Sequence, residues 1–203
     1  LFWPVASFGW VSSLVQEAEA SQKRINEFLL EKPEIQNIGT INNKIEGKIT
    51  FENVSYIYED TNIQALNNIS FTINKGETVA IMGKTGSGKS TILSLLTRIH
   101  DVTGSSKIKI NGYNLTEFNL FHLRNSMSIV PQDPFLLSDS IKNNIKFGKE
   151  NATNEEIINA AKMAVVDDNI QLFTQKYETI LGERGITLSG GQKQRISIAR
   201  AII

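Results

Sequence analysis

Residues 83–91 read GKTGSGKST, and Gly83, Gly88, Lys89 and Ser90 stand at the spacing G-x-x-x-x-G-K-[ST]. Each residue type has a separate use in holding a polyphosphate. Glycines let the backbone adopt positive φ, so that amides along Gly83, Lys84, Thr85, Gly86, Ser87 and Gly88 can turn toward phosphate oxygens. Lys89 brings a point charge to the terminal phosphates, while Ser90, followed by Thr91, offers a hydroxyl to Mg²⁺. A helix beginning near Lys89 adds the positive end of its dipole. At average residue usage the four fixed positions arise in roughly one chain of this size per hundred. A Gly-rich turn before an ordinary helix is the bland alternative.

A second glycine cluster, LSGGQ at residues 188–192, precedes KQRISIARAII. Ser189 can cap the helix that follows, and Gly190 and Gly191 would bare its first amides beside Gln192 for an anion. By itself this cluster is equally well a capped helix after a flexible turn.

Both clusters need elements to carry them. The run Thr78–Met82 before the phosphate loop is expected to be a short buried strand, and STILSLLTRI after it a helix. The period changes to two from Lys48, with strands in KITFENVSYIY and NNISFTI, a turn at Asn74–Gly76, and a further strand and turn in SKIKINGYNL. In the first of these Val54 shifts the register. SMSIVPQ reads as another strand, halted by Pro131. From about Ile141 to Lys176 helix formers dominate, and Thr153 with Glu156 has the form of a capping box. Earlier, QEAEASQKRINEFLLEK is expected as a helix with Ala18, Ile25, Phe28 and Leu29 on one apolar face, ended by Pro33.

Composition narrows the function classes. The chain has 203 residues, 21 Lys+Arg against 21 Asp+Glu, and 40% apolar residues, as suits one domain with a core and an appended segment. A net charge near zero gives no global pull toward nucleic acid or anionic membrane. There is no cysteine, which excludes disulfides and thiolate chemistry. His100 and His122 form no metal-ligand pattern. Residues 1–15, LFWPVASFGWVSSLV, carry no charge but fall short of the ~20 residues of a spanning helix. They read either as the tail of a membrane helix or as a buried or interfacial helix. Beginning at Leu1 and stopping in mid-pattern at Ile203, the sequence reads as a piece of a longer chain.

Taken together, the two clusters resemble the ATP-binding cassette (ABC) transporters of the exporter type, in which membrane and ATPase domains share one chain. The resemblance covers nearly the whole sequence. Residues 83–91 match the family's Walker A loop, and LSGGQKQRISIARAI its signature motif and helix. Gln132, in IVPQDPFLLSDSIKNNI, matches the Q-loop, whose amide would join Ser90 on Mg²⁺. Tyr58, in VSYIYED, stands where the family stacks an aromatic on adenine. Tyr56 is the competing candidate, since it faces the same side of a regular strand. ILGERG, residues 180–185, looks like the loop with which exporters sense the membrane domain. Phe135, Leu136 and Leu137 are either a docking surface for that domain or plain core.

The resemblance implies an α/β P-loop NTPase fold with an antiparallel β subdomain and a helical signature subdomain. Residues 1–32 would be the end of the last transmembrane helix and a connecting helix, 33–47 a linker, and 48–203 the ATP-binding domain. It implies an ATPase that binds ATP and Mg²⁺ and couples hydrolysis to export across a membrane, with the cassette on the cytoplasmic side. Lys89 and Gln132 would serve catalysis. Tyr58, the loop Gly83–Thr91, and Ser189, Gly190, Gly191 and Gln192 would hold nucleotide. Its partners would be a second cassette, identical or related, the transmembrane domain of the same chain, and membrane lipid, with no nucleic acid. The family places the Walker B Asp and the catalytic Glu after the signature helix, past Ile203, and its switch His beyond them. Residues 1–203, made alone, are therefore expected not to turn over ATP. MAVVDD, residues 163–168, precedes the signature and is rejected as the Mg²⁺ site. The alternatives are a soluble ABC-type ATPase of DNA repair or translation, and a non-catalytic nucleotide-binding module.

Overall fold

Two long strands, β1 (Ile49–Tyr58) and β2 (Ile63–Ile73), pair antiparallel with Phe51 opposite Phe71. Their rings stack at 4.5 Å, the kind of cross-strand aromatic pair that stabilises a sheet. Asn53 adopts φ 49°, and the pairing slips between Phe51 and Val54, where the alternation breaks in the sequence. β3 (Lys107–Ile110) adds to the other edge of β1, and β4 (Tyr113–Asn114) to β3, giving the order β2-β1-β3-β4. Asn111 and Gly112 join these last two with φ 53° and 87°. Positive φ at both central residues of a two-residue hairpin is what Asn-Gly favours. Phe51, Val54, Leu66, Ile108 and Ile110 bury one face of this sheet.

A computed structural model describes residues 2–182 and 188–203. It divides into two compact units, one comprising residues up to Ile41 with Glu46–Leu120, the other Asn42–Ile45 with Phe121–Ile203. The first contains the sheet, α1 (Phe2–Leu30) and α2 (Lys89–Leu96). α1 is continuous where the sequence suggests two pieces. Pro4 lies in its first turn, where no intrahelical N–H is required, and the helix stops short of Pro33. Its apolar face is uncovered, with Ile25, Phe28 and Leu29 exposed by 52%, 82% and 70%. Among the described residues no helix is long and apolar enough to cross a membrane.

The polar stretch after α1 is extended and pinned to its own unit. Asn37 Oδ1 accepts from the Leu120 amide at 2.7 Å, and the Thr40 and Ile41 amides both donate to Glu117 O at 3.0 Å. Any side chain at Gly39 would collide with the Phe118 carbonyl.

Two expected strands are absent. Residues 78–82 and 126–130 have no regular structure, and Val79, Ile81, Met82 and Ile129 are exposed. The sheet among the described residues is antiparallel throughout. An apolar run becomes a strand only when its N–H and C=O groups find a ladder, and neither run has one among these residues.

In the second unit α3 (Leu120–Asn125, its first residue belonging to the first unit) precedes α4 (Ile141–Lys146), α5 (Asn154–Met163), α6 (Asp167–Gln171) and α7 (Gly190–Ile202). The capping box at Thr153 and Glu156 is present, and Lys149 pairs with Glu156 as well. Ile141, Ile145, Ile157, Ala161, Ile170 and Ile196 meet in one core. The three apolar residues 135–137 do not share one environment. Leu136 is wholly buried in that core, while Phe135 is 57% exposed.

Candidate functional site

In the first unit the phosphate-loop residues end on the N-terminus of α2. Gly88 caps this helix in the left-handed conformation at φ 83°, and Gly86 has φ 81°. A Cβ at Gly88 would run into the Ala65 carbonyl of β2 and lie 2.8 Å from Leu66 Cδ2, so the helix start lies hard against the sheet. A Cβ at Gly83 would come within 2.5 Å of Ser87 Oγ. Gly86 and Gly88 are therefore required by backbone conformation, and Gly88 by close approach as well, independently of any ligand, whereas at Gly83 the obstacle is only a hydroxyl that can rotate away. Lys89 Nζ donates to Gly83 O at 2.8 Å, Lys84 O at 2.7 Å and Ser87 Oγ at 3.3 Å, holding its charge over the hollow of the loop. Ser90 is exposed in the first turn of α2, and Thr91 is buried.

Tyr58, at the end of β1, reaches this loop. Its hydroxyl hydrogen-bonds with Thr91 Oγ1 at 3.1 Å across 33 residues of sequence. Tyr58, Gly86, Ser87, Gly88, Lys89 and Ser90 line one open cleft of about 270 Å³. Tyr56 does share its side of the strand, with ring centroids 5.0 Å apart, but it does not line that cleft. His100 packs against both rings, at 5.4 Å from Tyr56 and 5.5 Å from Tyr58. Nothing local in the sequence signals that third ring, because it arrives from the turn after α2.

In the second unit Ser189 caps α7. Its hydroxyl accepts from the Gln192 amide at 3.3 Å, and Gln192 Oε1 accepts from the Ser189 amide at 2.9 Å, a reciprocal capping box. A Cβ at Gly190 would meet nothing within 4 Å, and one at Gly191 only Arg195 Nη2 at 3.8 Å. Packing among the described residues does not require either glycine. Gln132 lies exposed on a bend, next to Pro131, whose carbonyl accepts from Gln194 Nε2 of α7 at 3.3 Å. Of the segment Ile180–Gly185, Leu181 is buried, and residues 183–187 lie outside the described residues.

Farther along α7, Arg200 is the centre of a polar cluster that sequence reading missed. Its Nε donates to Asn144 O at 2.8 Å, Nη2 to Asn144 Oδ1 at 2.9 Å and Nη1 to Phe135 O at 2.9 Å. Burial pulls the Arg200 pKa below its ordinary value. Asn144 is wholly buried, accepts from the Leu137 amide at 2.8 Å and donates to the carbonyls of Leu137 and Ser140, each at 3.0 Å.

The donor set fits a nucleotide polyphosphate. It combines a glycine-capped helix start, a lysine over the loop and an aromatic ring on the same cleft. Among the described residues no cluster of three His, Asp or Glu could hold a metal. A cation here would have the Ser90 hydroxyl and would draw its remaining ligands from phosphate and water, as Mg²⁺ commonly does. Asp167, within the rejected MAVVDD run, instead accepts from Tyr177 Oη at 2.6 Å and Gln171 Nε2 at 3.1 Å.

A family profile described as ABC transporter matches residues 66–203. The putative multidrug export ATP-binding/permease protein YgaD of Bacillus subtilis is 44% identical over 198 residues, 95% of this chain and 33% of that protein. The multidrug resistance-like ATP-binding protein MdlA of Escherichia coli is 39% identical over 203 residues, 100% of this chain and 34% of its own length. A solved structure of a bacterial Atm1-family ABC exporter with ATP bound superposes with a TM-score of 0.87 at 34% identity, covering 99% of this chain and 35% of that one. The chain thus spans about a third of the length of these relatives.

Proposed function

The chain belongs to the ABC transporter family, and from that premise we propose that it is the ATP-binding cassette of a membrane exporter. The observation that carries the reading is the Tyr58–Thr91 hydrogen bond at 3.1 Å, which brings an aromatic ring to the rim of the phosphate loop. A ring and a phosphate cradle in one cleft suit a nucleotide rather than a simple phosphate. Stacking on Tyr58 holds the base, amides of Gly83–Thr91 and the α2 dipole hold the phosphates, and Lys89 swings from Gly83 O and Lys84 O onto them. Ser90 and Gln132 are the candidate Mg²⁺ ligands; the ion would neutralise charge on the terminal phosphates.

Two cassettes, identical or related, sandwich two nucleotides head to tail. Ser189, Gly190, Gly191 and Gln192 of one chain then face the Walker A loop of the other. The support is the open space at Gly190 and Gly191, which leaves room for a partner's phosphate against the start of α7. Two helix N-termini neutralise a γ-phosphate better than one. Closing of the sandwich is transmitted to a transmembrane domain, and hydrolysis releases it. Residues 1–32 lead out of that domain in the membrane, 33–47 are the linker and 48–203 the cassette on its cytoplasmic side. The uncovered apolar residues of α1 suit lipid or membrane-domain neighbours. Multidrug export, named for YgaD, gives the substrate class to test first.

The test uses the full-length protein in lipid nanodiscs. Lys89→Ala should abolish ATP binding and hydrolysis. Ser189→Arg should leave binding of a fluorescent ATP analogue within about twofold, since it lies outside the chain's own Walker A loop, yet abolish hydrolysis by obstructing the sandwich. Undiminished hydrolysis in Ser189→Arg would sink the two-sided site.

A further inference from the structure

α7 holds the segment that carries Gln132 at two separate levels. Near its start Gln194 Nε2 donates to Pro131 O at 3.3 Å, immediately beside Gln132. Six residues on, about 9 Å along the helix at 1.5 Å per residue, Arg200 donates to Phe135 O and to both oxygens of Asn144. Asn144 fixes the intervening chain through the Leu137 amide and the Leu137 and Ser140 carbonyls. Leu136 fills the core between these attachments, together with Ile196 and Ala199 of α7. Gly148, just past α4, lies so close to the Arg200 carbonyl that no side chain fits there, so the chain leaving α4 packs tightly on α7.

Such a segment does not move on its own. A guanidinium fork satisfied by three oxygens, two of them on a fully buried residue, is lost only with large desolvation cost, so the arrangement is rigid. Neither Gln194 nor Arg200 belongs to the glycine clusters, and neither is among the nucleotide ligands of the proposed site.

We propose that Gln194 and Arg200 are positioning residues that lock Gln132 and the Ser189–Gln192 turn into one rigid piece, so that events at one of the two nucleotides in the sandwich are felt at the other. The inference rests on the proposed function, because Gln132 attends the chain's own nucleotide while the Ser189–Gln192 turn faces the partner's. A displacement of Gln132 is carried through α7 to the opposite site. In energetic terms this is a coupling between sites, and cooperativity in ATP is its readout.

The experiment uses the full-length protein with Gln194→Ala and, separately, Arg200→Lys. The lysine keeps the charge but cannot form the three-acceptor fork. Wild type should hydrolyse ATP with a Hill coefficient approaching two, the number of sites. Both variants should fall toward one while affinity for a fluorescent ATP analogue stays within about twofold. A general loss of folded protein would lower the rate without flattening the curve. Hydrogen exchange reads the same link without turnover. In Arg200→Lys the Leu137 amide should exchange about tenfold faster while α5 is unchanged. Cooperativity retained in both variants, a wild-type Hill coefficient of one, or unaltered exchange at Leu137 would each overturn the lock. Absence of ATP hydrolysis in wild type would instead overturn the functional reading, and the exchange arm would still decide the lock.

Discussion

Replacing Gly88 by Ala should damage the phosphate loop far more than replacing Gly86, although both have nearly the same φ, 83° and 81°. At each site a Cβ in the left-handed region costs about 1–2 kcal/mol. At Gly86 that is the whole penalty, for a Cβ there meets nothing within 4 Å. At Gly88 the added carbon strikes the Ala65 carbonyl and approaches Leu66 Cδ2 to 2.8 Å. The obstacle is strand backbone paired into β1, so α2 must give way rather than β2. Overpacking of this kind costs about 1–3 kcal/mol more. The sum, roughly 2–5 kcal/mol, is a large part of a typical domain's 5–15 kcal/mol. Because Gly88 caps α2, the same shift tilts Lys89 and Ser90 away from their places. The assay is thermal unfolding of the full-length protein with and without ATP·Mg²⁺, alongside nucleotide titration. Gly86→Ala should lower the melting temperature by a few degrees, and Gly88→Ala about twice as much or more, with most of the nucleotide-dependent stabilisation lost. Equal losses at the two positions would refute the close-approach argument.

Two other outcomes follow from the same geometry. Tyr58→Phe removes the Thr91 hydrogen bond but keeps the ring, and should change ATP affinity by no more than a few fold, whereas Tyr58→Ala should weaken it by about 1–3 kcal/mol, the usual worth of a base on an aromatic face; binding of inorganic tripolyphosphate should be unchanged in both, and an equal loss for tripolyphosphate would refute base stacking. In the second unit, hydrogen bonds from Tyr177 and then Gln171 lower the Asp167 pKa, while burial and then Asp167 raise that of Tyr177. Asp167 thus adds stability above its unfolded pKa of about 3.9 that disappears as pH falls through the lowered folded value. Tyr177 adds stability below about pH 10 that disappears as pH rises further. Protection of α5 and α6, taken relative to intrinsic exchange at each pH, should fall at both extremes, and Asp167→Asn should flatten the acid limb; an unchanged acid limb would refute the assignment.

Short-range chemistry was readable along the chain. The glycine spacing of residues 83–88, the Asn111–Gly112 hairpin, the slip at Val54 and the caps at Thr153 and Ser189 all involve neighbours within a few residues. Their outcomes depend on φ preferences and on side chains bonding to nearby backbone, which residue type alone determines. The resemblance to ABC exporters stood on two of these, the loop at residues 83–91 and the Ser189 turn with its helix, together with Gln132, Tyr58 and residues 180–185, and the family profile matches residues 66–203.

What the tertiary structure decided were the matters that need a distant partner. Thr78–Met82 is apolar and rich in strand formers, yet it finds no ladder among the described residues, and a strand is a property of a pair. Phe135, Leu136 and Leu137 look alike in sequence, but only Leu136 points into the core around α4 and α7. Tyr56 and Tyr58 share a strand face, and the hydroxyl contact 33 residues away singles out Tyr58. Arg200 and Asn144, 56 residues apart, carry no motif that joins them. Local rules specify where the backbone turns, while burial and long-range hydrogen bonds select which of several equivalent side chains takes part.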